Sequence, residues 1–489
     1  METETVLPAK LKEIQEALEN KNRNKAARLL TEQAKDLPEE TVHRLGLAQL
    51  AATIGETATT RFYATHAVAT DSSSTTALRA ATLLADVGDY VNALKMANRV
   101  VKTAKEFAPG WNIQGTLQAQ FGMFEEAEES LKKAIFIQPK VGAHWLELAS
   151  FHQFTKSDQV AADMLKIQST MSSTSPSNQA IFLFAISKML EDLGEQEQSW
   201  HALSNACGHM HKIVQYDHAA NTKSVDSVLA SLSQNTYAQL KPSPDTSNRP
   251  IFVFGNLRSG GTLVQRMLVG HPDVSGGDTM GLMSLAATAL TGIGPDELVG
   301  VQSKYENPWR DIAAAYHHMV KSRFGAEGRI VDRTMAQARL APLIHHVMPN
   351  APLIWVRRNL EDTAYSQLKT CFASGGRWTF NLETLGQHMA QEEKLFEAIS
   401  QALGDKLLVV NYEDIVADPQ AQRARIYAHC GLTADADIAE THTLTNNSVL
   451  TSSTYAINQP INTNSVGNSE QFSKHMDAFR TAYANTKAT

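Results

Sequence analysis

The sequence has few cysteines, and those few lie far apart. Cys207, Cys371 and Cys430 are the three cysteines in 489 residues, and no two of them form a C-x-x-C pair. This spacing argues against a disulfide framework and against a structural zinc site, and it favours a reducing compartment. We therefore expect a cytoplasmic protein.

The sequence also lacks a long apolar run and a strong charge of one sign. Residues 1–21 carry early acidic residues and helical periodicity. An export signal would instead have a basic start followed by an apolar core, so none is expected here. A formal net charge of −7 gives no reason to expect nucleic acid or an anionic membrane as the main partner. The length of 489 residues predicts two or three domains.

What is present in the first half is a repeat with a period of 34 residues. Trp111 recurs as Trp145, and Gly88 recurs as Gly122. Residues 108–141 resemble the tetratricopeptide pattern at its small, aromatic and proline positions, which are Trp111, Gly115, Gly122, Ala127, Ala134 and Pro139. Such repeats are pairs of helices that stack into a solenoid with a concave binding face. We predict a tetratricopeptide-like all-α domain over residues 1–235, with residues 10–70 degenerate in sequence, and a polar linker over 236–249.

The stretch FGNLRSGGT, residues 254–262, follows a β-rich run and precedes a helical pattern. Strand, glycine-rich loop and helix together form the cradle that binds phosphate in P-loop proteins. The usual loop has lysine before its last Ser or Thr, but Gly261 stands there and Arg258 lies inside the loop. A P-loop kinase, which would turn over Mg²⁺-ATP, is therefore disfavoured. Arg258 can donate two parallel hydrogen bonds to an oxygen-rich group instead.

A second anion motif lies at residues 350–371, where an apolar strand leads into two arginines and a helix. Arg358 and Ser366 are eight residues apart, which places Ser366 about two turns into that helix. A phosphate across the carboxyl end of the strand would meet both side chains. One phosphate would then bridge them.

These two stretches, in this order, resemble the 5′-phosphosulfate loop and the 3′-phosphate motif of the sulfotransferase superfamily. LVVNYEDIVADPQ, from residue 408, and QPINTNSVG, residues 459–467, are similar to the Y-E-D-L segment and the S-V-G loop of the tetratricopeptide-repeat sulfotransferases. The resemblance implies an α + α/β fold, in which the helical solenoid is followed over residues 250–489 by a three-layer α/β domain with a central parallel sheet. It implies 3′-phosphoadenosine 5′-phosphosulfate as the donor, and no metal.

The resemblance also assigns roles to residues. It implies that the donor is bound by Arg258, Ser259, Gly260, Gly261 and Thr262 at the 5′ phosphosulfate, by Arg358 and Ser366 at the 3′ phosphate, and by the C-terminal loop at Ser465 and Gly467. It implies three catalytic residues, with Asp278 as the base where the tyrosylprotein branch has glutamate, and Arg258 and Arg333 as the positive charges on the transferring group.

Structural alternatives stand beside these roles. Asp278 could cap a helix that begins at Thr279, and Arg333 could form a surface ion pair with Asp332 or Glu327. His271 is expected in an H-P turn, and residues 412–414 in a strand-to-helix connection. The apolar residues of 279–294 either line an acceptor pocket or form a core helix.

Function has two competing predictions. The first is a sulfotransferase acting on a hydroxyl or phenol, with a peptide or protein acceptor slightly favoured by the repeats and alcohols, lipids and glycans left open. The second is a non-catalytic scaffold with a degenerate nucleotide-binding domain. Its support is that Asn462, Asn464 and Asn468 stand where the family has basic and aromatic residues.

Overall fold

The computed structural model describes residues 3–277, 279–372, 375–433 and 459–488. An array of helical pairs is followed by an α/β domain with a parallel five-stranded sheet, which confirms the predicted fold class. None of the helices in these ranges is both long and apolar enough to cross a membrane.

The array consists of helices that pair through short turns. Its helices are α1 (Thr3–Glu19), α2 (Arg23–Gln33), α3 (Thr41–Thr53), α4 (Thr57–Thr70), α5 (Ser74–Asp86), α6 (Tyr90–Thr103), α7 (Ala108–Gln120), α8 (Phe124–Ile137), α9 (Gly142–Ala149), α10 (Gln159–Gln168), α11 (Pro176–Asp192), α12 (Gln196–Ile213), α13 (His218–Ser233) and α14 (Thr236–Gln239).

The turns between paired helices repeat the same backbone conformation. Gly55, Gly88, Gly122 and Gly194 have φ of 75°, 76°, 75° and 79°, the left-handed region that glycine adopts without a steric penalty. Gly55 lies in the part whose sequence is degenerate, so the early helices have the turn of the repeat although its other signature residues are absent there.

The tryptophans of two successive repeats make the same contact. Trp111 Nε1 donates to the carbonyl of Lys105 at 2.7 Å, and Trp145 Nε1 donates to the carbonyl of Pro139 at 2.8 Å. Each indole therefore ties its helix to the residue six positions earlier. The 34-residue sequence period is thus a structural period as well.

The second half is built on strands β1 (Pro250–Gly255), β2 (Val274–Gly277), β3 (Arg329–Asp332), β4 (Leu353–Arg357) and β5 (Leu407–Asn411). The order across the sheet is β2-β3-β1-β4-β5, and every pairing is parallel. Its helices are α15 (Gly261–Val269), α16 (Leu282–Ala286), α17 (Pro295–Lys304), α18 (Pro308–Phe324), α19 (Ala341–Val347), α20 (Leu360–Leu368), α21 (Leu382–Leu403), α22 (Tyr412–Ala417), α23 (Pro419–Cys430) and α24 (Asp477–Ala488).

Alternation along the strands creates two apolar cores, one on each face of the sheet. On β1, Phe252 and Phe254 pack with α18, α19 and α21, whereas Ile251 and Val253 pack with α15 and α23. Both faces are therefore covered, as an all-parallel sheet requires. β1 is flanked by β3 and β4, and such a reversal of strand order is where α/β sheets bind ligands.

The segment 279–294 belongs to the core. α16 begins at Leu282, after Gly281, so the alternative in which a helix begins at Thr279 is wrong. Met283, Ala286 and Leu290 are buried in the cluster with α18. Of the two interpretations of this apolar segment, the structure shows the core helix.

The array packs on the α/β domain through both of its ends. Near its start, the carboxylate of Glu56 accepts a hydrogen bond from His318 of α18 at 3.1 Å. Near its end, α11 and α12 share an apolar cluster with α20. Helix α13 also places Val225 and Val228 in the core of the second half. The domain limits at 235 and 250 stay a prediction.

Candidate functional site

The loop after β1 is closely packed at its glycines. A Cβ on Gly260 would lie 2.6 Å from Cδ2 of Tyr412, and a Cβ on Gly255 would lie 2.3 Å from the carbonyl oxygen of Val356. Gly260 also has φ of 104°. Only glycine fits these two positions without displacing backbone or ring atoms.

The loop ends at the N-terminus of α15. Gly261 and Thr262 form its first turn and are buried, and Gly260 precedes them as an N-cap that has no side chain to accept from the helix. Backbone N–H groups at a helix N-terminus favour an anion, and the helix dipole adds to this preference. The strand, loop and helix of the predicted cradle are present, and their binding of phosphate stays a prediction.

The structure brings together the residues that the sequence predicts for the two ends of one ligand. Arg258 Nε donates to Ser366 Oγ at 3.0 Å. Arg358 Nη1 donates to the backbone carbonyl of Arg258 at 3.2 Å. The loop after β1 and the helix after β4 therefore share one set of contacts at the carboxyl edge of the sheet.

Two buried polar atoms at this edge have no hydrogen-bond partner among the described residues. They are Oγ of Ser259, a residue that is 1% exposed, and Nε of Arg358. Leaving such an atom unpaired costs about 1–3 kcal/mol, so native proteins seldom do it without a reason. A bound group with acceptor oxygens would satisfy both.

The charge around the loop is positive. The pKa of Arg258 is lowered to about 10, mainly by burial and further by the guanidinium groups of Arg358 and Arg333. The ring of Tyr412 lies 4.9 Å from the Arg358 guanidinium carbon. An anion between these arginines would relieve their mutual repulsion.

Arg333 lies beside the cradle and away from the surface. It is 7% exposed and donates from Nε to Gln265 Oε1 at 2.6 Å. Its Cδ lies 3.5 Å from the position that a Cβ on Gly261 would take. Asp332 is buried too, so the alternative of a surface ion pair is wrong.

The C-terminal loop is fastened to the start of α20. Arg358 Nη2 donates to the carbonyl of Ser465. The carboxylate of Asp362 accepts from the backbone N–H of Gly467 at 2.8 Å, from that of Ser469 at 2.9 Å and from the Ser469 hydroxyl at 2.8 Å. Ser465 therefore contacts the arginine that the sequence predicts for the 3′ phosphate, and Gly467 contacts Asp362 beside it.

Asp362 and Tyr412 are two residues of this site that the sequence reasoning missed. A weak signal existed for Asp362, because it follows Arg358 by only four residues, and Arg358 Nη2 lies 3.9 Å from Asp362 Oδ2. Tyr412 was expected to have a structural role only, and its contacts with Gly260 and Arg358 place it at the cradle.

A cavity of about 440 Å³ borders the loop at the carboxyl ends of β4 and β5. It is lined by polar residues of both motifs and by aromatic side chains, including Asn256, Ser259, Trp355, Arg358, Phe396 and Tyr483. Space for a small molecule therefore adjoins the positive loop.

Two predictions for the segment after β1 have different outcomes. Asp278 lies outside the described residues, so its role as the base stays a prediction. His271 is buried, and its Nδ1 accepts from the N–H of Asp273 at 3.1 Å, which confirms the turn.

Residues 250–436 match the model of a family described as the sulfotransferase family. This match supports sulfuryl transfer as the general activity of the second half. Two solved sulfotransferases show similarity at low identity. STF1 of Mycobacterium tuberculosis H37Rv is 14% identical with a TM-score of 0.29, and the match covers 66% of this chain and 99% of STF1. STF9 of Mycobacterium avium is 12% identical with a TM-score of 0.26, and the match covers 58% of this chain and 86% of STF9.

An uncharacterized protein of Aquifex aeolicus (strain VF5) is 23% identical over 321 residues. The alignment covers 64% of this chain and 42% of the relative, so the chain spans less than half the length of the curated protein that it matches.

Proposed function

We propose that the protein transfers a sulfuryl group from 3′-phosphoadenosine 5′-phosphosulfate to a hydroxyl acceptor. The observation that carries this proposal is the meeting of Arg258, Arg358 and Ser366 at one edge of the sheet. The family match over residues 250–436 adds the reaction class. The donor has two separate anionic ends, and the site has two separate anion motifs.

The residues present fit such a donor. In the proposal, the N-terminus of α15 and Arg258 hold the 5′ phosphosulfate, and Arg358 with Ser366 holds the 3′ phosphate. Ser259 Oγ and Arg358 Nε supply hydrogen-bond donors that no other residue in the described ranges uses. Each charge-assisted hydrogen bond would contribute roughly 1.5–3 kcal/mol.

The proposed chemistry is an in-line displacement at sulfur. The acceptor oxygen forms a bond to sulfur, and the bond between sulfur and the 5′-phosphate oxygen breaks. The leaving oxygen gains negative charge, which Arg258 and Arg333 stabilise, while the acceptor proton passes to a carboxylate, for which we propose Asp278. A hydroxyl or phenol is the acceptor class, and the repeat array favours one carried by a peptide or protein. We also propose a cytoplasmic location, in line with the three unpaired cysteines.

The second candidate is a scaffold that binds the nucleotide without catalysis. One observation favours it: Arg358 already donates to two backbone carbonyls, those of Arg258 and Ser465. In this candidate, a loop that is already closed on this arginine would hold the product-like nucleotide and would not release it for turnover.

Titration calorimetry with three nucleotides tests the binding part of the proposal. We expect 3′-phosphoadenosine 5′-phosphate to bind at least about tenfold more tightly than adenosine 5′-phosphate, because only the former has the 3′ phosphate for Arg358 and Ser366. ATP serves as the control for an ordinary P-loop site. Equal affinity for all three nucleotides would count against the assignment.

Mass spectrometry tests the catalytic part. The purified protein is incubated with the donor and fractionated acceptors, and we expect one acceptor to gain the mass of a single sulfuryl group. Tight binding of the product nucleotide with no transfer to any fraction would favour the scaffold.

A further inference from the structure

The end of β3 carries a buried carboxylate that the proposed reaction does not use directly. Asp332 is 1% exposed. Its Oδ1 accepts from the hydroxyl of Thr334 at 2.5 Å, and its Oδ2 accepts from the hydroxyl of Tyr316 on α18 at 3.1 Å. Both carboxylate oxygens are therefore held by neutral hydroxyl donors from two different elements.

The hydrogen-bond network continues from Thr334 to the segment before α16. Thr334 Oγ1 accepts from the backbone N–H of Gly281 at 3.1 Å while its own proton goes to Asp332. A hydroxyl that donates in one direction and accepts from another has a fixed orientation. Thr334 thus connects Asp332 to a third element at the same edge of the sheet.

Arg333 lies between these two anchored residues. Its Nε donates to Gln265 of α15, and its side chain passes Gly261 at the start of that helix. Fixing the backbone on both sides of Arg333 limits the directions that its side chain can take. We propose that Asp332, acting through Thr334, is a positioning residue that aims the guanidinium of Arg333 at the phosphosulfate end of the donor; this rests on the proposed function.

Burying the carboxylate of Asp332 costs free energy, so we infer that this residue does more than fill the core. Burial raises the pKa of Asp332 to about 6, although the hydroxyls of Thr334 and Tyr316 and the charges of Arg323 and Arg333 lower it. A buried ionised group is usually no more stabilising than an apolar residue of the same size. In this proposal, the carboxylate instead fixes the geometry of the end of β3 beside the cradle.

The test compares binding of the donor with binding of 3′-phosphoadenosine 5′-phosphate, which lacks the sulfuryl group. Thr334→Val removes the hydroxyl and keeps the shape, and Thr334→Ser restores the hydroxyl as the matched control. We expect Thr334→Val to weaken donor binding about tenfold, as the loss of a charge-assisted hydrogen bond does, and product binding less than about twofold. Thr334→Ser should bind both nucleotides as the native protein does.

Equal weakening of donor and product in Thr334→Val would overturn the proposal, because it would indicate general damage to the site. Unchanged donor binding would overturn it as well. If thermal unfolding shows that Thr334→Val does not fold, Tyr316→Phe is tested in its place. We expect Tyr316→Phe to weaken binding of the donor about threefold and to leave binding of the product unchanged. Equal weakening of both nucleotides would contradict the proposal. Failure of the native protein to bind either nucleotide would instead refute the proposed function, and this inference with it.

Discussion

Arg358 Nη1 donates a hydrogen bond to the main-chain carbonyl of Arg258 at 3.2 Å, across 100 residues of sequence. The shape of the loop after β1 therefore depends on a side chain from the end of β4. Arg258 itself has φ of 68°, a left-handed conformation that is uncommon for arginine and costs free energy unless the surroundings hold it. The side chain of Arg358 therefore helps to hold the left-handed backbone of Arg258.

Replacing Arg358 should remove affinity for 3′-phosphoadenosine 5′-phosphate. We expect Arg358→Ala to weaken binding by about 10- to 100-fold, because it loses charge-assisted hydrogen bonds and the support of the loop. Arg310 of α18 is the matched control, because it is exposed, pairs with Asp311 at 3.0 Å and does not line the cavity. Arg310→Ala should change the calorimetric Kd by less than about threefold, and an equal loss in both variants would refute the specific role of Arg358.

Removing the Ser259 hydroxyl should have opposite effects on stability and on binding. Because Oγ is buried and has no hydrogen-bond partner in the part of the chain that the structure describes, Ser259→Ala should leave the free energy of unfolding unchanged or raise it by about 1 kcal/mol, while nucleotide affinity falls about fivefold. Ser231 is the control, since it is fully buried and donates to the carbonyl of Ile293 at 2.7 Å. Ser231→Ala should cost about 1 kcal/mol in urea unfolding and leave the Kd unchanged. Destabilisation by Ser259→Ala would contradict this account.

A side chain at position 260 should damage the cradle. Gly260→Ala would place Cβ 2.6 Å from the Tyr412 ring at φ of 104°, so we expect a loss of roughly 1–3 kcal/mol in unfolding free energy and no measurable nucleotide binding. Gly300 is exposed within α17, and a Cβ there meets nothing within 4 Å. Gly300→Ala should stabilise by about 0.5–1 kcal/mol and bind normally. Normal binding by Gly260→Ala would show that the loop is adaptable.

The contact between Glu56 and His318 should make stability depend on pH. Burial raises the pKa of Glu56, but the hydrogen bond from His318 and the charge of Arg23 outweigh it and lower the pKa below 4.5. The pKa of His318 is raised above 6.5, mainly by its hydrogen bond to Glu56. The Glu56 contribution is present above pH 4.5 and is lost as pH falls through its lowered pKa. The His318 contribution is present below pH 6.5 and is lost as pH rises through its raised pKa.

Both contributions are therefore present between pH 4.5 and 6.5. His318→Gln should lower the urea midpoint near pH 6 and match the native protein near pH 9, with a difference of about 1 kcal/mol or less because the imidazole is largely exposed. A constant difference between His318→Gln and the native protein across this range would exclude the titration of His318 as its cause.

The sequence was sufficient to predict the parts of the molecule that depend on local pattern. The turn glycines, the strand-loop-helix at residues 250–269 and the order of the two anion motifs are all local. The convergence of Arg258 with Ser366 was predictable as well, because parallel strands bring their carboxyl ends to one edge.

The contacts made by single side chains across the fold could not be predicted. Asp362 accepts from Gly467 and Ser469, which follow it by more than 100 residues, and nothing in the residues around Asp362 encodes that meeting. Gln265, which accepts a hydrogen bond from Arg333, is a similar case. A glutamine in a helix gives no sign in the sequence that an arginine at the end of a strand will contact it. Such positions follow from tertiary packing alone.

The shared cluster at α20 has a practical consequence for anyone who would separate the two halves. Trp200 of the repeat array stacks on Tyr365 and Phe472, with ring centroids 6.5 Å and 5.5 Å apart, and Tyr365 is the immediate neighbour of Ser366. Cutting the chain near residue 235 would remove Trp200 and expose the faces of Tyr365 and Phe472 that it covers, next to the serine for which we propose a role in binding the 3′ phosphate. The α/β half therefore depends on its apolar contact with the repeat array. A fusion of this half to a different solenoid would have to reproduce that contact.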